Sequence, residues 1–205
     1  MIAPSLHPVF TIGHSNHEGP AFLALLQQHQ IAAVADVRSS PYSRFAPQFN
    51  RDKLKAMLEQ TGLRYAHLGA ELGARRSEPE VYKGPVASYE RIATCSQFSA
   101  GLDRVEEGAK RMRLAMMCSE KDPITCHRCV LVARHLIKRG LTVMHILEDG
   151  RLETQAESET RLLKLLDLPD HDLFHGRDFF VDEAYLRQGE KIAYRRDLDS
   201  EGVAA

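Results

Sequence analysis

The sequence lacks the features that mark membrane-spanning, secreted and strongly nucleic-acid-binding proteins. No apolar run approaches the length needed to cross a bilayer, and residues 1–10 lack the basic and then apolar pattern of a signal peptide. Four cysteines in 205 residues do not look like a disulfide scaffold. The formal net charge is only −1, so no overall field attracts nucleic acid or an anionic membrane. These absences predict a cytoplasmic protein with reduced thiols and no membrane partner. Nucleic acid stays a possible ligand that the charge does not indicate.

The sequence does contain alternating strand-like and helix-like segments. With 43% hydrophobic residues, a chain of this length can bury a sizeable core. Five apolar runs read as strands: Val9–Gly13, Ile31–Val37, Leu63–Leu68, Arg113–Cys118 and Leu141–Leu147. Helical periodicity between them predicts an α/β fold with a doubly wound, mainly parallel sheet in three layers, Rossmann-like or flavodoxin-like. With right-handed crossovers, we predict the strand order 3-2-1-4-5 and two helices on each face.

Capping residues predict where the helices begin and end. Asn16 and Asn50 are placed as N-caps of the first two helices, and Gly62 as the residue that ends the second. A helix is expected over Ser99–Lys110 and another over Thr125–Arg139. Thr154 and Glu157 have the spacing of a capping box, which predicts a further helix.

Two stretches are predicted to be irregular. Residues 69–97 form a long loop with a short helix near residues 86–93, and loops of this length are usually lids or binding loops. Residues 169–205 are predicted to be a C-terminal arm, docked through Phe179, Phe180 and Tyr185 on a single domain of residues 1–168.

Polar side chains follow the predicted strands at their carboxyl ends, where ligands collect in open parallel sheets. The first strand is followed by His14 and Ser15, the second ends in Asp36 with Arg38 beyond it, and Ser43 lies in the next loop. Each of these positions, taken alone, is also ordinary for a strand end. The dipeptides Arg75-Arg76 and Arg195-Arg196 could bind phosphate, although such pairs are usually surface residues.

The most specific feature is the segment from Cys118 to Cys129. With Thr125 as N-cap, Cys126, His127 and Arg128 would lie in the first helical turn, where free N–H groups and the helix dipole stabilise anions. A cysteine in this position beside Arg128 should have a lowered pKa. Arg128 offers a planar fork for phosphate or carboxylate. A reactive thiol, an anion site or both fit this pattern, and we predict Cys126 to be the most reactive thiol.

Other interpretations of these residues stay open. Cys118 and Cys126 are equally compatible with a buried core position, Cys95 with an incidental one, and His145 with a satisfied core histidine. Cys126-His-Arg-Cys129 has C-x-x-C spacing, but it does not follow the strand as a thioredoxin-like motif does. Structural zinc sites usually have two pairs of ligands, so we predict no metal. A zinc site built from Cys118, Cys126 and Cys129 is an alternative, and His14 or His127 could be recruited as a further ligand.

Several short motifs in a fixed order carry a resemblance over nearly the whole chain. They are Thr11-Ile-Gly-His-Ser15, Asp36-Val-Arg38 with Pro41 and Ser43, His67-Leu-Gly69 with Glu71-Leu-Gly73, Cys118 and Glu120 with Cys126-His-Arg128, His145-Ile, and the tail from Ala184 to Tyr194. At these residues the chain resembles the bacterial and archaeal family known as domain of unknown function 488. Ala74 departs from it, where the family tends to have glycine. The resemblance implies a fold and a pocket but no established activity. A weaker likeness is to rhodaneses and cysteine phosphatases.

These residues together favour an enzyme that acts on a small or nucleotide-like anionic substrate, and a thiol-dependent hydrolase or transferase fits this pattern. The candidate catalytic residues are Cys118, Glu120, Cys126, His127 and Asp36. The candidate substrate-binding residues are His14, Ser15, Arg38, Ser43 and Arg128. The alternative is a non-catalytic module that binds a phosphate, a nucleotide or nucleic acid in the same pocket. No cofactor is predicted, and the sequence does not indicate an oligomeric state.

Overall fold

The structure is a computed structural model that describes residues 7–196. In chain order, its elements are β1 (Val9–Gly13), α1 (Gly19–Gln28), β2 (Ala33–Asp36), α2 (Arg51–Gln60), β3 (Arg64–His67), α3 (Gly69–Leu72), β4 (Tyr82–Lys83), β5 (Val86–Ala87), α4 (Tyr89–Ala93), α5 (Ser96–Ala109), β6 (Leu114–Cys118), α6 (Arg134–Lys138), β7 (Val143–Ile146), β8 (Leu152–Thr154), α7 (Gln155–Leu165) and α8 (Arg177–Ile192). A π-helical segment, Arg128–Ala133, leads directly into α6. The predicted α/β class is confirmed.

The central sheet has the order β3-β2-β6-β1-β7-β8, and all its pairings are parallel except that of the edge strand β8. The predicted adjacency of the first strand and the Cys118 strand is confirmed. The predicted order 3-2-1-4-5 is wrong, because β6 lies between β2 and β1 and pairs with both. Right-handed crossovers permit either arrangement, so periodicity identifies the strands without identifying their neighbours.

Two helices cover each face of the sheet, as predicted. α1 and α2 pack on one face through Phe22, Leu26, Leu54 and Leu58, at the helical spacing seen in the sequence. On the other face lie α5 and the helix formed by the π segment and α6. The chain thus winds in one direction along the sheet from β1 to β3 and returns through β6 to β7, which places the two helix layers on opposite faces.

The ends of the helices agree only partly with the prediction. Gly62 and Gly140 follow their helices with φ of 79° and 85°, a conformation that glycine adopts without steric cost. Thr154 and Glu157 form the predicted capping box. The first helix, however, begins at Gly19 rather than after Asn16, with Pro20 in its first turn. Asn50 precedes α2, but its side chain accepts a hydrogen bond from the Ser43 N–H instead of capping the helix.

The stretch predicted as a long loop contains α3, the β4–β5 hairpin and α4. Arg76 holds it together through the carbonyls of Ala70 and Glu71 and the side chains of Glu78 and Gln97. This bridging by one side chain has no periodic signature in the sequence.

Beyond the sheet layers, α7 and α8 pack over the helix that follows β6. Their shared core comprises Ile124, Val130, Leu162, Leu163, Phe180, Ala184 and Tyr185. Phe180 and Tyr185 are buried as predicted, whereas Phe179 is half-exposed. The division into a domain and an arm stays a prediction, and its residues 197–205 lie outside the described part. Within residues 7–196, no helix is both long and apolar enough to cross a membrane.

Candidate functional site

A cleft of 580 Å³ opens over the carboxyl ends of β2 and β6. Its floor contains Cys118, Cys126 and His127. Its walls come from the loop after β2 and from residues 191–195 at the end of α8. Residues far apart in the chain therefore meet at the sheet edge where parallel α/β folds bind ligands.

The loop after β6 sets the positions of both cysteines. Cys118 is the last residue of β6, and a short 3₁₀ turn over Pro123–Thr125 begins at Asp122, whose carboxylate accepts from the Ile124 N–H. Thr125 is not the predicted N-cap, since its hydroxyl donates to the Asp122 carbonyl. Cys126 is extended, and its carbonyl accepts from the N–H groups of the following helix.

The predicted first helical turn therefore begins one residue later, at His127. The main-chain N–H of Cys126 is already bonded to the Pro123 carbonyl. Cys126 is thus the residue that precedes the helix start, where the positive end of the helix dipole lies.

Two thiols, an imidazole and a carboxylate meet on the cleft floor. The Cys118 and Cys126 sulfurs lie 3.1 and 3.0 Å from the same oxygen, Oε2 of Glu120. Nδ1 of His127 lies 3.6 Å from the Cys118 sulfur and 3.9 Å from the Cys126 sulfur. Nε2 of His127 lies 3.1 Å from the Val37 carbonyl, to which it donates. The structure thus brings together four of the five predicted catalytic residues, and Asp36 lies elsewhere.

Burial and neighbouring charges change the acidity of these groups. The hydrogen bond with Cys126, together with burial, raises the pKa of Cys118. Burial would also raise the pKa of Cys126, but the Cys118 hydrogen bond and the charge of Arg128 hold it well below its usual value. Burial and the neighbouring Cys126 raise the pKa of Glu120. As free thiols, the two cysteines therefore differ, and the negative charge resides on Cys126.

Arg128 is fully buried beneath the loop and is not among the residues that line the cleft. Its Nη1 donates to the Glu120 carbonyl at 2.6 Å and its Nη2 to the Lys121 carbonyl at 3.0 Å. Within residues 7–196 it forms no ion pair, with either Asp36 or Glu120. Its anion-binding role stays a prediction, and its observed contacts brace the loop.

Arg38 links the cleft to the buried end of β2. Its guanidinium makes a two-pronged contact with Asp36, at 2.9 and 2.7 Å, and donates to the Phe49 carbonyl. Its Nη1 donates to Nε2 of His14 at 3.1 Å. Burial lowers the pKa of His14 to about 4, which keeps its imidazole neutral as an acceptor.

The other predicted substrate-binding residues lie at different depths. Arg38 and Ser43 line the cleft, whereas His14 stacks on Phe49 behind it. Ser15 has a φ of 47°, and its N–H donates to the Ser119 carbonyl. His14 and Asp36 thus orient Arg38. Substrate binding by His14 and a catalytic role for Asp36 stay predictions.

Four further cleft residues were not among the predicted site residues: Tyr89, Arg75, Lys191 and Arg195. Burial, and next the charge of Cys126, raise the pKa of Tyr89, so its ring carries a neutral hydroxyl. The two dibasic pairs were the available signal for the cations. In each pair the first arginine lines the cleft, while Arg76 is buried in the fold and Arg196 stacks on Tyr82. The sequence pattern alone does not separate the two roles.

Cys129 faces away from the cluster. Its sulfur lies 3.9 Å from Nε2 of His145 and 3.7 Å from Nε2 of Gln155, on the other side of the helix. His145 is a buried histidine bonded to Thr11 and Gln155, as a satisfied core histidine should be. The alternative zinc set that included Cys129 is therefore not assembled.

Comparison with known proteins agrees with the motif pattern. Residues 20–135 match the family model described as "Domain of unknown function DUF488", a span that includes Asp36, Arg38 and the Cys118–His127 loop. No curated protein and no solved structure matches the chain significantly. The family match covers more than half of the 205 residues. The chain belongs to the DUF488 family.

Proposed function

We propose that this chain is an enzyme that acts on a small, nucleotide-like anionic substrate bound in the strand-end cleft. The observation that carries the proposal is the composition of the cleft lining. Four cations, Arg38, Arg75, Lys191 and Arg195, surround a floor of two thiols and an imidazole, and Glu120 is the single carboxylate among the described residues that line the cleft. Excess positive charge in a concave site concentrates anions.

The cations supply two kinds of contact. Arg38 is held rigidly by Asp36, so binding an anion costs it little side-chain entropy. Arg75 and Arg195 are exposed and adaptable, and the Arg75 guanidinium stacks on Tyr194. Guanidinium groups suit phosphate because their N–H groups match its oxygens in pairs. Hydroxyl groups of Ser39, Ser40 and Ser43 add donors along the same wall.

The floor supplies reactive groups next to the anion. Cys118, Cys126 and His127 lie within 4.8 Å of one another, and Glu120 is close enough to exchange a proton with either sulfur. Nucleophile and proton-transfer groups at hydrogen-bond distance are what hydrolases and transferases require. A binding module needs the cations but has no use for this cluster.

Thermal unfolding with added ligands tests the binding half of the proposal. Inorganic phosphate and nucleoside monophosphates should each stabilise the protein, by about 2.7 kcal/mol at a concentration 100 times Kd. The double variant Arg75→Ala/Arg195→Ala should lose this response. Arg111→Ala, which removes an exposed arginine outside the cleft, should keep it. A response that persists in the double variant would count against the cleft.

Turnover separates the enzyme from the binding module. Wild-type protein is incubated with a panel of phosphate-bearing small molecules, and products are followed by NMR. Cys126→Ser should abolish product formation while keeping ligand-induced stabilisation. Stabilisation without product across the panel would favour the binding module.

A further inference from the structure

We infer that Cys118, Cys126 and His127 bind a zinc ion whose fourth coordination position opens into the cleft. The inference deepens the proposed function, and only the use of that open position depends on it. With zinc bound, Cys118 and Cys126 act as ligands, and substrate is activated at the open position rather than attacked by a thiol. The two sulfurs and Nδ1 of His127 converge within 4.8 Å, and all three residues are buried. Two thiolates and an imidazole are ligands that zinc prefers, whereas magnesium and calcium prefer oxygen.

The spacing between the three atoms fits a tetrahedral ion. Zinc lies about 2.3 Å from sulfur and about 2.0 Å from imidazole nitrogen, so sulfur and nitrogen ligands of one tetrahedral ion lie about 3.5 Å apart. The observed sulfur–nitrogen separations are 3.6 and 3.9 Å. The shorter separation is close to the edge of a coordination tetrahedron, and the longer one exceeds it by about 0.4 Å, so a small side-chain movement would complete the geometry.

His127 is oriented as a ligand. Its Nε2–H donates to the Val37 carbonyl, and its Nδ1 faces the two sulfurs. A metal ligand is the neutral imidazole, so zinc would take the place of any proton on Nδ1. Histidine ligands usually donate their second ring N–H to a carbonyl or carboxylate, which sets the tautomer and the ring orientation. Val37 follows the end of β2, so the neighbouring strand of the sheet positions this ring.

The supporting charges also suit a metal–thiolate centre. Arg128 lies fully buried behind the cluster, and its guanidinium bonds main-chain carbonyls rather than a carboxylate within residues 7–196. A buried cation lowers the cost of burying two thiolates. Cys118 lies on a strand paired on both sides, and Cys126 and His127 flank a helix start, so folding itself pre-organises the ligands.

The number of ligands points to a catalytic rather than a structural zinc. Structural zinc sites are closed by four protein ligands, whereas catalytic sites keep one position for water or substrate. Cys129, the remaining cysteine of the helix, is turned toward His145. Glu120 reaches the same side from the cleft, with its Oε2 closer to both sulfurs than a tetrahedral edge requires. We assign Glu120 the role of exchanging protons beside the open position.

Metal analysis of the purified full-length chain tests the site without any activity assay. Protein from zinc-supplemented cultures should contain about one zinc per chain, as should Cys129→Ser, the matched control. Cys118→Ser, Cys126→Ser and His127→Ala should each lose most of the metal. Cobalt added to the apoprotein should give the intense visible absorption bands of a tetrahedral thiolate complex. This test also works if zinc is lost during purification.

Two outcomes would overturn the inference: reduced wild-type protein free of zinc and without cobalt bands, or zinc retained in Cys118→Ser and Cys126→Ser. Circular dichroism of each variant separates metal loss from misfolding. Phosphate-induced stabilisation is measured on the same samples. If the protein binds zinc but phosphate does not stabilise it, the zinc site is supported and the proposed function is overturned. If phosphate stabilises the protein but no zinc is bound, the proposed function is supported and the zinc site is overturned.

Discussion

Asp36 shows how a polar residue near the cleft can serve the fold. Its carboxylate accepts from the main chain and guanidinium of Arg38 and from the Tyr65 hydroxyl. Asp36→Ala would leave the buried Arg38 charge uncompensated, and we expect it to lower the free energy of unfolding by about 3–5 kcal/mol. Asp149→Ala removes an exposed ion pair with Arg151 and should cost less than about 1 kcal/mol. Urea titration measures both, and equal losses would contradict the structural role.

His145 should make stability depend on pH. Burial lowers its pKa from 6.5 to about 4. Between these pH values His145 is protonated in the unfolded chain but not in the folded protein. The free energy of unfolding therefore falls as pH decreases from 6.5 to 4. The full effect is about 3 kcal/mol. His145→Gln should flatten this slope, leaving the part due to His14, whereas exposed His171→Gln should not. Urea unfolding at several pH values checks this, and an unchanged slope would show that His145 does not carry it.

At the scale of elements, β1 and the loop after β6 approach so closely that only glycine fits. A Cβ atom on Gly13 would lie 1.9 Å from the Glu120 carbonyl oxygen, which Arg128 holds in place. Gly13→Ala must therefore displace main chain, and we expect a loss of about 1–3 kcal/mol. Gly19→Ala meets only the flexible end of Met57 and should be neutral within about 1 kcal/mol. If Gly13→Ala leaves the thermal unfolding temperature unchanged, the loop after β6 moves to accommodate the added methyl group.

The elements also show how far sequence reasoning reaches. Apolar runs predicted the five parallel strands, because buried strands must be apolar on both faces, but β8, a three-residue edge strand, has too little pattern to detect. The position of β6 within the strand order could not be predicted. Neighbouring strands pair through main-chain hydrogen bonds, and these are the same for every strand. Four site residues were predicted together because they lie in one segment, from Cys118 to His127, between a buried strand and a helix start. Arg75, Lys191 and Arg195 were not predicted as site residues, because the sequence does not distinguish an exposed cation in a cleft from one elsewhere on the surface.

At the scale of the whole molecule, α8 connects the cleft wall to the protein interior. Phe180 is 8% exposed in the core shared with α7, while its neighbour Phe179 is 51% exposed. Phe180→Ala should therefore cost about 3 kcal/mol, and Phe179→Ala less than about 1 kcal/mol. Denaturant unfolding of the two variants gives the comparison. Similar small losses would indicate that α8 is only loosely attached.

The central position of β6 gives the two sides of the cleft different dynamics. The amides of residues 115–117 lie between two parallel neighbours, so their hydrogen exchange should require opening of the whole sheet. Residues 39–43 and 191–195 lie outside the sheet and should exchange through local opening. The reactive cluster is thus attached to the slowest-exchanging part of the molecule and the anion-binding wall to a faster one. Ligands of different size can then be accommodated by one wall while the geometry at the sulfurs stays constant.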